Sequence, residues 1–411
     1  MNKIIERNIG RIVALLAIVS YFELFKLTAF PYIIRQFSQV IVMAMMFILI
    51  IIKIIYSQER PVKMNFAVPI ILLMIGALPS YFVAAAYHGQ NLLISLYANR
   101  IIWFYLLYFF VHFYKVSPRF LLRLVILTGL FAVVLYYIQF YMFPQMIMEI
   151  NFQTDRGTIR LFVAGLICTQ AAYFYFLKRF FAKNRIIYLV FALICMSVFI
   201  LQGTRQIIFA LIFLSLVYVL LARRIRSRTF VSFIFITGAI TLFFLFREIF
   251  IELTEVSATQ VRSLGEGVRL KAAKFFITDF MPNIYAYLFG NGNSGLSSRY
   301  NQEMMMYVFK NGYYVSDIGL LGDYVKYGIV FITAGIYLII KGLTFKISNN
   351  IDFLKFYIFL QCFTVFTGYG FLGGVDIIML LILYVFDVDR AEQTEAKEDT
   401  VANLKYKEVY S

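Results

Sequence analysis

Charge is scarce in this chain, and cysteine and histidine are scarcer still. Charged residues make up 15% of the 411 positions, against about 25% in soluble domains, so an ordinary water-soluble globular protein is excluded. The three cysteines, Cys168, Cys195 and Cys362, each fall inside an apolar run. That placement argues for small packing residues and against a disulfide framework or metal site. The two histidines, His88 and His112, lie near an early external turn and an early cytoplasmic helix end. No internal repeat of fixed period stands out, which weighs against an inverted-repeat transporter. A cleavable signal peptide is not evident either: Met1–Arg11 is basic, but the following apolar run lacks a small-residue cleavage site and reads as a first span.

Apolar bulk takes the place of charge. Hydrophobic residues are 62% of the chain, with 46 phenylalanines and 30 tyrosines, and the mean hydropathy is +0.81. These values belong to an integral membrane protein, in which the aromatics are mainly lipid-facing bulk and interfacial anchors. A chain of this length holds about a dozen spans of roughly 20 residues each. The apolar runs predict an all-α polytopic membrane domain over 1–388, with helices near 9–29, 33–56, 65–86, 93–114, 119–144, 159–178, 185–203, 205–222, 229–247, 316–340, 353–372 and 374–388. The stretch 389–411 is polar and mixed in charge, and reads as a disordered cytoplasmic tail.

The formal charge of +16 suggests neither nucleic acid nor a basic tail, because its distribution explains it. With the N-terminus inside, twenty Lys and Arg fall on cytoplasmic connections, including Arg223, Arg224, Arg226 and Arg228, and three (Arg35, Arg156, Arg205) on short external ones. Cations retained on the cytoplasmic side set orientation, so both termini are expected inside and the long polar interval 248–315 outside. The cytoplasmic clusters are topology determinants and headgroup contacts.

External cations run against that bias and carry the functional argument. The connection after the fifth helix holds Arg156 and Arg160, four residues apart and on one face of any helix that includes both. Headgroup snorkelling by Arg160 and an Arg156–Asp155 pair explain them equally well. The short hinge Gln202-Gly203-Thr204-Arg205 holds Arg205 at the bundle mouth; Gly203 permits the reversal, and a fixed guanidinium there suits either a headgroup or bidentate phosphate. In the long interval, Glu266 to Phe280 alternates cations (Arg269, Lys271, Lys274) with apolar residues at helical spacing. It is expected to lie in the outer interface with its aromatic side toward lipid. Gly290, Gly292 and Gly295 mark a loop whose backbone can approach a ligand, by itself a weak sign of a phosphate nest. Tyr313 and Tyr314 are candidate platforms for a sugar. Asp317, just before the tenth span, is either a helix cap or a general base facing the arginines.

Three short features resemble the bacterial O-antigen polymerase and O-antigen ligase family. They are the Thr204-Arg205 hinge, Arg269 roughly twenty residues before the Gly290-x-Gly292 turn, and Tyr327-Gly328 in the helix that follows. The layout, with a main external loop late in the chain, is similar as well. The resemblance implies a GT-C-like integral membrane glycosyltransferase that polymerises undecaprenyl-diphosphate-linked repeat units of O-antigen, capsule or exopolysaccharide at the outer leaflet of the inner membrane. It implies that Arg160, Arg205 and Arg269, with Arg156, grip the diphosphate leaving group, and that a flippase and a chain-length regulator are partners. The ligase branch carries a histidine at the start of the helix after the long loop. Ser316-Asp317 stands there instead, which disfavours a ligase.

The chemistry is sound without the family. A sugar hydroxyl attacks the anomeric carbon, undecaprenyl diphosphate departs, and guanidiniums stabilise the charge growing on the bridging oxygen. No metal or cofactor is required, since arginines do a metal's work on a donor that already carries diphosphate. Asp317 or Glu266 accepts the hydroxyl proton. A flippase or other transporter of the same lipid-linked saccharide is the alternative. It would need polar residues along helix interiors, where charge is sparse: Arg100, and Asp323 with Lys326 one turn apart.

Overall fold

A computed structural model describes residues 3–56, 61–153, 159–221, 267–365 and 376–410. Among these the chain is helical apart from one two-residue antiparallel pair. The helices are α1 (Lys3–Tyr21), α2 (Tyr32–Tyr56), α3 (Ala67–His88), α4 (Leu92–Ala98), α5 (Leu106–Phe113), α6 (Pro118–Met142), α7 (Leu166–Lys183), α8 (Ile186–Leu201) and α9 (Arg205–Leu221). After the interval outside the described residues come α10 (Val268–Thr278), α11 (Ile284–Phe289), α12 (Arg299–Asn311), α13 (Leu320–Thr344), α14 (Phe353–Val365) and α15 (Ile377–Tyr410). Strand β1 (Phe152–Gln153) pairs with β2 (Arg160–Leu161).

Helices α2, α3, α6 and α13 are long and apolar enough to cross a membrane, and Leu92–Ala98 with Arg100–Phe113 makes a fifth, bent by 56°. Several such helices fit a multi-pass membrane protein. The expected dozen spans are not reached on length and apolarity. Helices α8 and α9 have 16 and 17 residues, which at about 1.5 Å per residue is shorter than a hydrocarbon core of roughly 30 Å. The expected span at 229–247 lies outside the described residues. On α2 the side chains of Ile33, Ile41, Ile48 and Ile55 are exposed. Their spacing of seven or eight residues makes one apolar stripe, a surface suited to lipid.

Contacts between connections divide the molecule into two ends. At one end Lys53 pairs with Glu6 (2.7 Å) and Lys178 with Asp352 (2.6 Å). There also Asp387, 1% exposed, takes bonds from Asn65, Tyr108 and His112. At the other end Arg35 pairs with Glu149, His88 meets Glu303 (3.3 Å), and the 22–31 connection forms a β-bridge with the 143–165 segment through Leu27 and Met148.

Four expectations change here. The first helix stops at Tyr21, and Glu23–Lys26 forms a single left-handed turn with φ between 51° and 57°. The fourth span is three short pieces. The tail beyond 389 is helix and continues α15 to Tyr410. Asp389 anchors its base by accepting bonds from the Ser348 amide (2.7 Å) and hydroxyl (2.6 Å). Its Ala, Glu, Lys and Gln content favours a helix where composition alone suggested disorder.

Finally, α13 is interrupted at Gly328 (φ 75°, ψ −172°). A break inside an apolar layer leaves carbonyls without partners, at several kcal/mol each. The amides of Asn291 and Gly292 fill that need, donating to Val325 O (2.8 Å) and Lys326 O (2.7 Å).

Candidate functional site

Helix α8 closes in a Schellman arrangement: Thr204 N donates to Phe199 O (3.2 Å), Gly203 N to Ile200 O (2.9 Å), and Gly203 has φ 65°. α9 begins one residue later, so Arg205 is its first residue, ahead of the apolar stretch from Ile207. The turn also fixes the β-pair. Arg160 Nε donates to Gln202 O (2.8 Å), and Gln202 Nε2 donates to Leu161 O (3.3 Å). Gln139 secures the other approach to the strands: its side-chain oxygen accepts from the amides of Ile147 (2.8 Å) and Met148 (3.2 Å).

These supports bring three distant guanidiniums together. Arg205 is partly buried, and its pKa is lowered first by that burial and then by the charges of Arg160 and Arg269. Like charges at such range are unfavourable unless an anion or a polar network offsets them. Arg160 is 7% exposed and sits over the Phe162 ring (5.3 Å); Arg269 is exposed at the start of α10. One participant was not singled out in the sequence. The Tyr136 hydroxyl is fully buried, lies within electrostatic reach of Arg160, and has no hydrogen-bond partner among the described residues. In the sequence it is one tyrosine of thirty inside an apolar run, which gives no signal. Arg156 and Glu266 lie outside the described residues.

The long interval folds as a small helical module with its own core. Phe276 and Phe280 are buried with Tyr300, and Phe275 stacks near Tyr307 (4.8 Å) and Tyr313 (5.5 Å). The aromatic side of α10 therefore faces protein, which corrects the expectation that it faces lipid. Lys271 and Lys274 are exposed on the same helix. Of the tyrosine pair, Tyr314 is 49% exposed and open to a ligand, whereas Tyr313 belongs to the module core.

Gly290 and Gly292 do not form an open nest. The Gly290 amide donates to Ala286 O (2.8 Å), and the next two amides are taken by α13. The close approach these glycines allow is to a helix backbone, not to a ligand. Asp317 sits in a 3-10 turn, Val315–Ile318, and the cap position of α13 is Gly319, so the capping role does not apply. Val315 and Ile318 pack on Ala272 and Ala273 of α10. Asp317 thus stands on the element braced against the helix that carries Arg269.

His88 is the second residue the sequence did not mark. Its ring is stacked between Tyr300 (4.2 Å) and Phe280 (5.3 Å). Nδ1 meets Glu303 Oε2 (3.3 Å) and Nε2 meets Asn291 Oδ1 (3.1 Å). Burial, then Glu303, raises the Tyr300 pKa. The His88 partners lie far later in sequence, within 280–303, beyond any local pattern.

No protein-family model matches the chain, and no curated protein matches its sequence.

Proposed function

We propose that this chain is a polytopic inner-membrane glycosyltransferase, GT-C-like with about twelve spans and both termini cytoplasmic. In this reading it polymerises undecaprenyl-diphosphate-linked repeat units of O-antigen, capsule or exopolysaccharide at the outer leaflet. The observation that carries the reading is the meeting of Arg205 with Arg160 and Arg269, three cations from three separate segments at one end of an apolar bundle. Such a cluster suits an anion of two or more charges, and a lipid diphosphate supplies that charge at membrane depth. The acceptor hydroxyl attacks the anomeric carbon and the bond from that carbon to the diphosphate oxygen breaks. The arginines stabilise the negative charge that collects on the departing undecaprenyl diphosphate. The hydroxyl proton passes to a carboxylate, for which Asp317 is the candidate. Tyr136 adds a donor beside Arg160, and Tyr314 offers a face to the sugar.

A flippase for the same lipid is the second reading. Asp323 of α13 favours it: it is 5% exposed, and a buried carboxylate within a membrane helix often marks a translocation path. Purified protein in liposomes separates the two readings. A polymerase lengthens lipid-linked repeats supplied in the outer leaflet, whereas movement of lipid across the bilayer without extension assigns the flippase.

A further inference from the structure

Arg35 is the fourth residue of α2 and is 1% exposed. Side chains on a helix lean toward its N-terminus, so this guanidinium lies back over a first turn whose amides carry partial positive charge. Its Nη2 pairs with the Glu149 carboxylate, and the Tyr32 ring lies 5.8 Å from its central carbon. Nε and Nη1 are buried and have no hydrogen-bond partner among the described residues. A buried cation with two of its three nitrogens unbonded is a costly arrangement that calls for a ligand.

Glu149 differs from Arg35 in one respect: its side chain is 52% exposed, so it can leave the pair for water. Arg100, by contrast, is braced by Gln39 (2.6 Å) and the Tyr97 carbonyl (3.1 Å), with Gln36 on its remaining nitrogen. α2 is long and apolar enough to cross a membrane, and on the face away from Arg35 its Ile33, Ile41 and Ile48 are exposed, so acyl or prenyl chains meet the helix whose first turn carries Arg35.

We propose that Arg35 binds the phosphate of an outer-leaflet lipid, and that the Glu149 carboxylate occupies the place of that phosphate until it arrives. Phosphate oxygens engage Nη1 and Nη2 together in the fork geometry guanidinium favours. A polymerase joins two lipid-linked diphosphates and releases one, so Arg35 would hold the retained one. That last assignment rests on the proposed polymerase; the lipid-phosphate site does not.

The test is native mass spectrometry of the full chain in detergent with undecaprenyl phosphate, and in parallel with inorganic phosphate. Two bound lipids are expected for the wild type and one for Arg35→Gln. Glu149→Gln keeps the guanidinium and should bind the lipid about tenfold more tightly at this site. It also decides the matter should Arg35→Gln fail to fold. Equal lipid binding by Arg35→Gln and wild type, or unchanged affinity in Glu149→Gln, overturns the proposal. Inorganic phosphate binding as tightly as the lipid overturns it too, in favour of a free-anion site. Failure to lengthen repeats in liposomes counts against the polymerase alone and leaves this site standing.

Discussion

Gly290 and Gly328 lie on two stretches of chain that meet backbone to backbone. A Cβ on Gly290 would stand 2.4 Å from the Lys326 carbonyl, and one on Gly328 would stand 2.2 Å from Leu288 O. Both have φ near 75°, a region that L side chains avoid. Gly328→Ala therefore combines backbone strain with a clash against main chain that cannot turn aside. A loss of about 3 kcal/mol or more is expected. Because the two residues share one contact, Gly290→Ala and the double variant should be non-additive. Melting in detergent checks this, and wild-type melting of either single variant would show that the break in α13 does not depend on the approach.

Arg205 and Arg269 stand on different segments but share one field. In the proposed polymerase, Arg205→Ala or Arg269→Ala should reduce extension of lipid-linked repeats about 10²- to 10³-fold, the range for one donor aimed at developing negative charge. Lysine at either position should also be impaired, because an ammonium lacks the bidentate fork. Chain length read on a gel from the liposome reaction is the measurement. Long polymer in both alanine variants would remove the cluster from the chemistry.

His88 keys the end of α3 into the helical module of α10–α12. Two stacked rings and two polar partners converge on it, so His88→Ala leaves a ring-sized gap along with unmet polar groups. The expected effect is local. Amide hydrogen exchange should quicken about a hundredfold across 280–303, equivalent to about 2.7 kcal/mol of lost protection, while α6 and α7 keep their rates. Uniform quickening throughout would mean that His88 supports the whole fold and not this junction.

Part of the bundle was legible from apolar runs. The run expected over 33–56 is α2 within one residue, because a membrane helix writes its length directly into hydropathy. Alternating spans also gave the expectation that Arg160, Arg205 and Arg269 share one side, and the span expected at 229–247 lies outside the described residues. What the sequence hid depends on distant partners. The break at Gly328 is tolerated because amides more than 30 residues earlier cap it, and the His88 stack draws on Phe280 and Tyr300, far later in the chain. The amphipathic pattern of α10 was read in the right place but with the wrong partner. Phe276 and Phe280 pack on Tyr300, and helical spacing does not say whether an apolar face meets lipid or protein.

Asp317 provides the sharpest test of mechanism. It sits in a turn packed on α10, and among the described residues its side chain takes a long bond from Ser316 Oγ (3.5 Å). Because Gly319 caps α13, Asp317→Asn removes a charge without removing a cap, and the melting temperature should stay within a few degrees of wild type. If the carboxylate accepts the hydroxyl proton, extension should fall about 10²- to 10⁴-fold, with binding of the lipid-linked donor unchanged. That split separates a base from a residue that merely holds substrate, whose loss would weaken binding instead. Full activity in Asp317→Asn would take the proton-accepting role away from this residue while leaving the arginine cluster untouched.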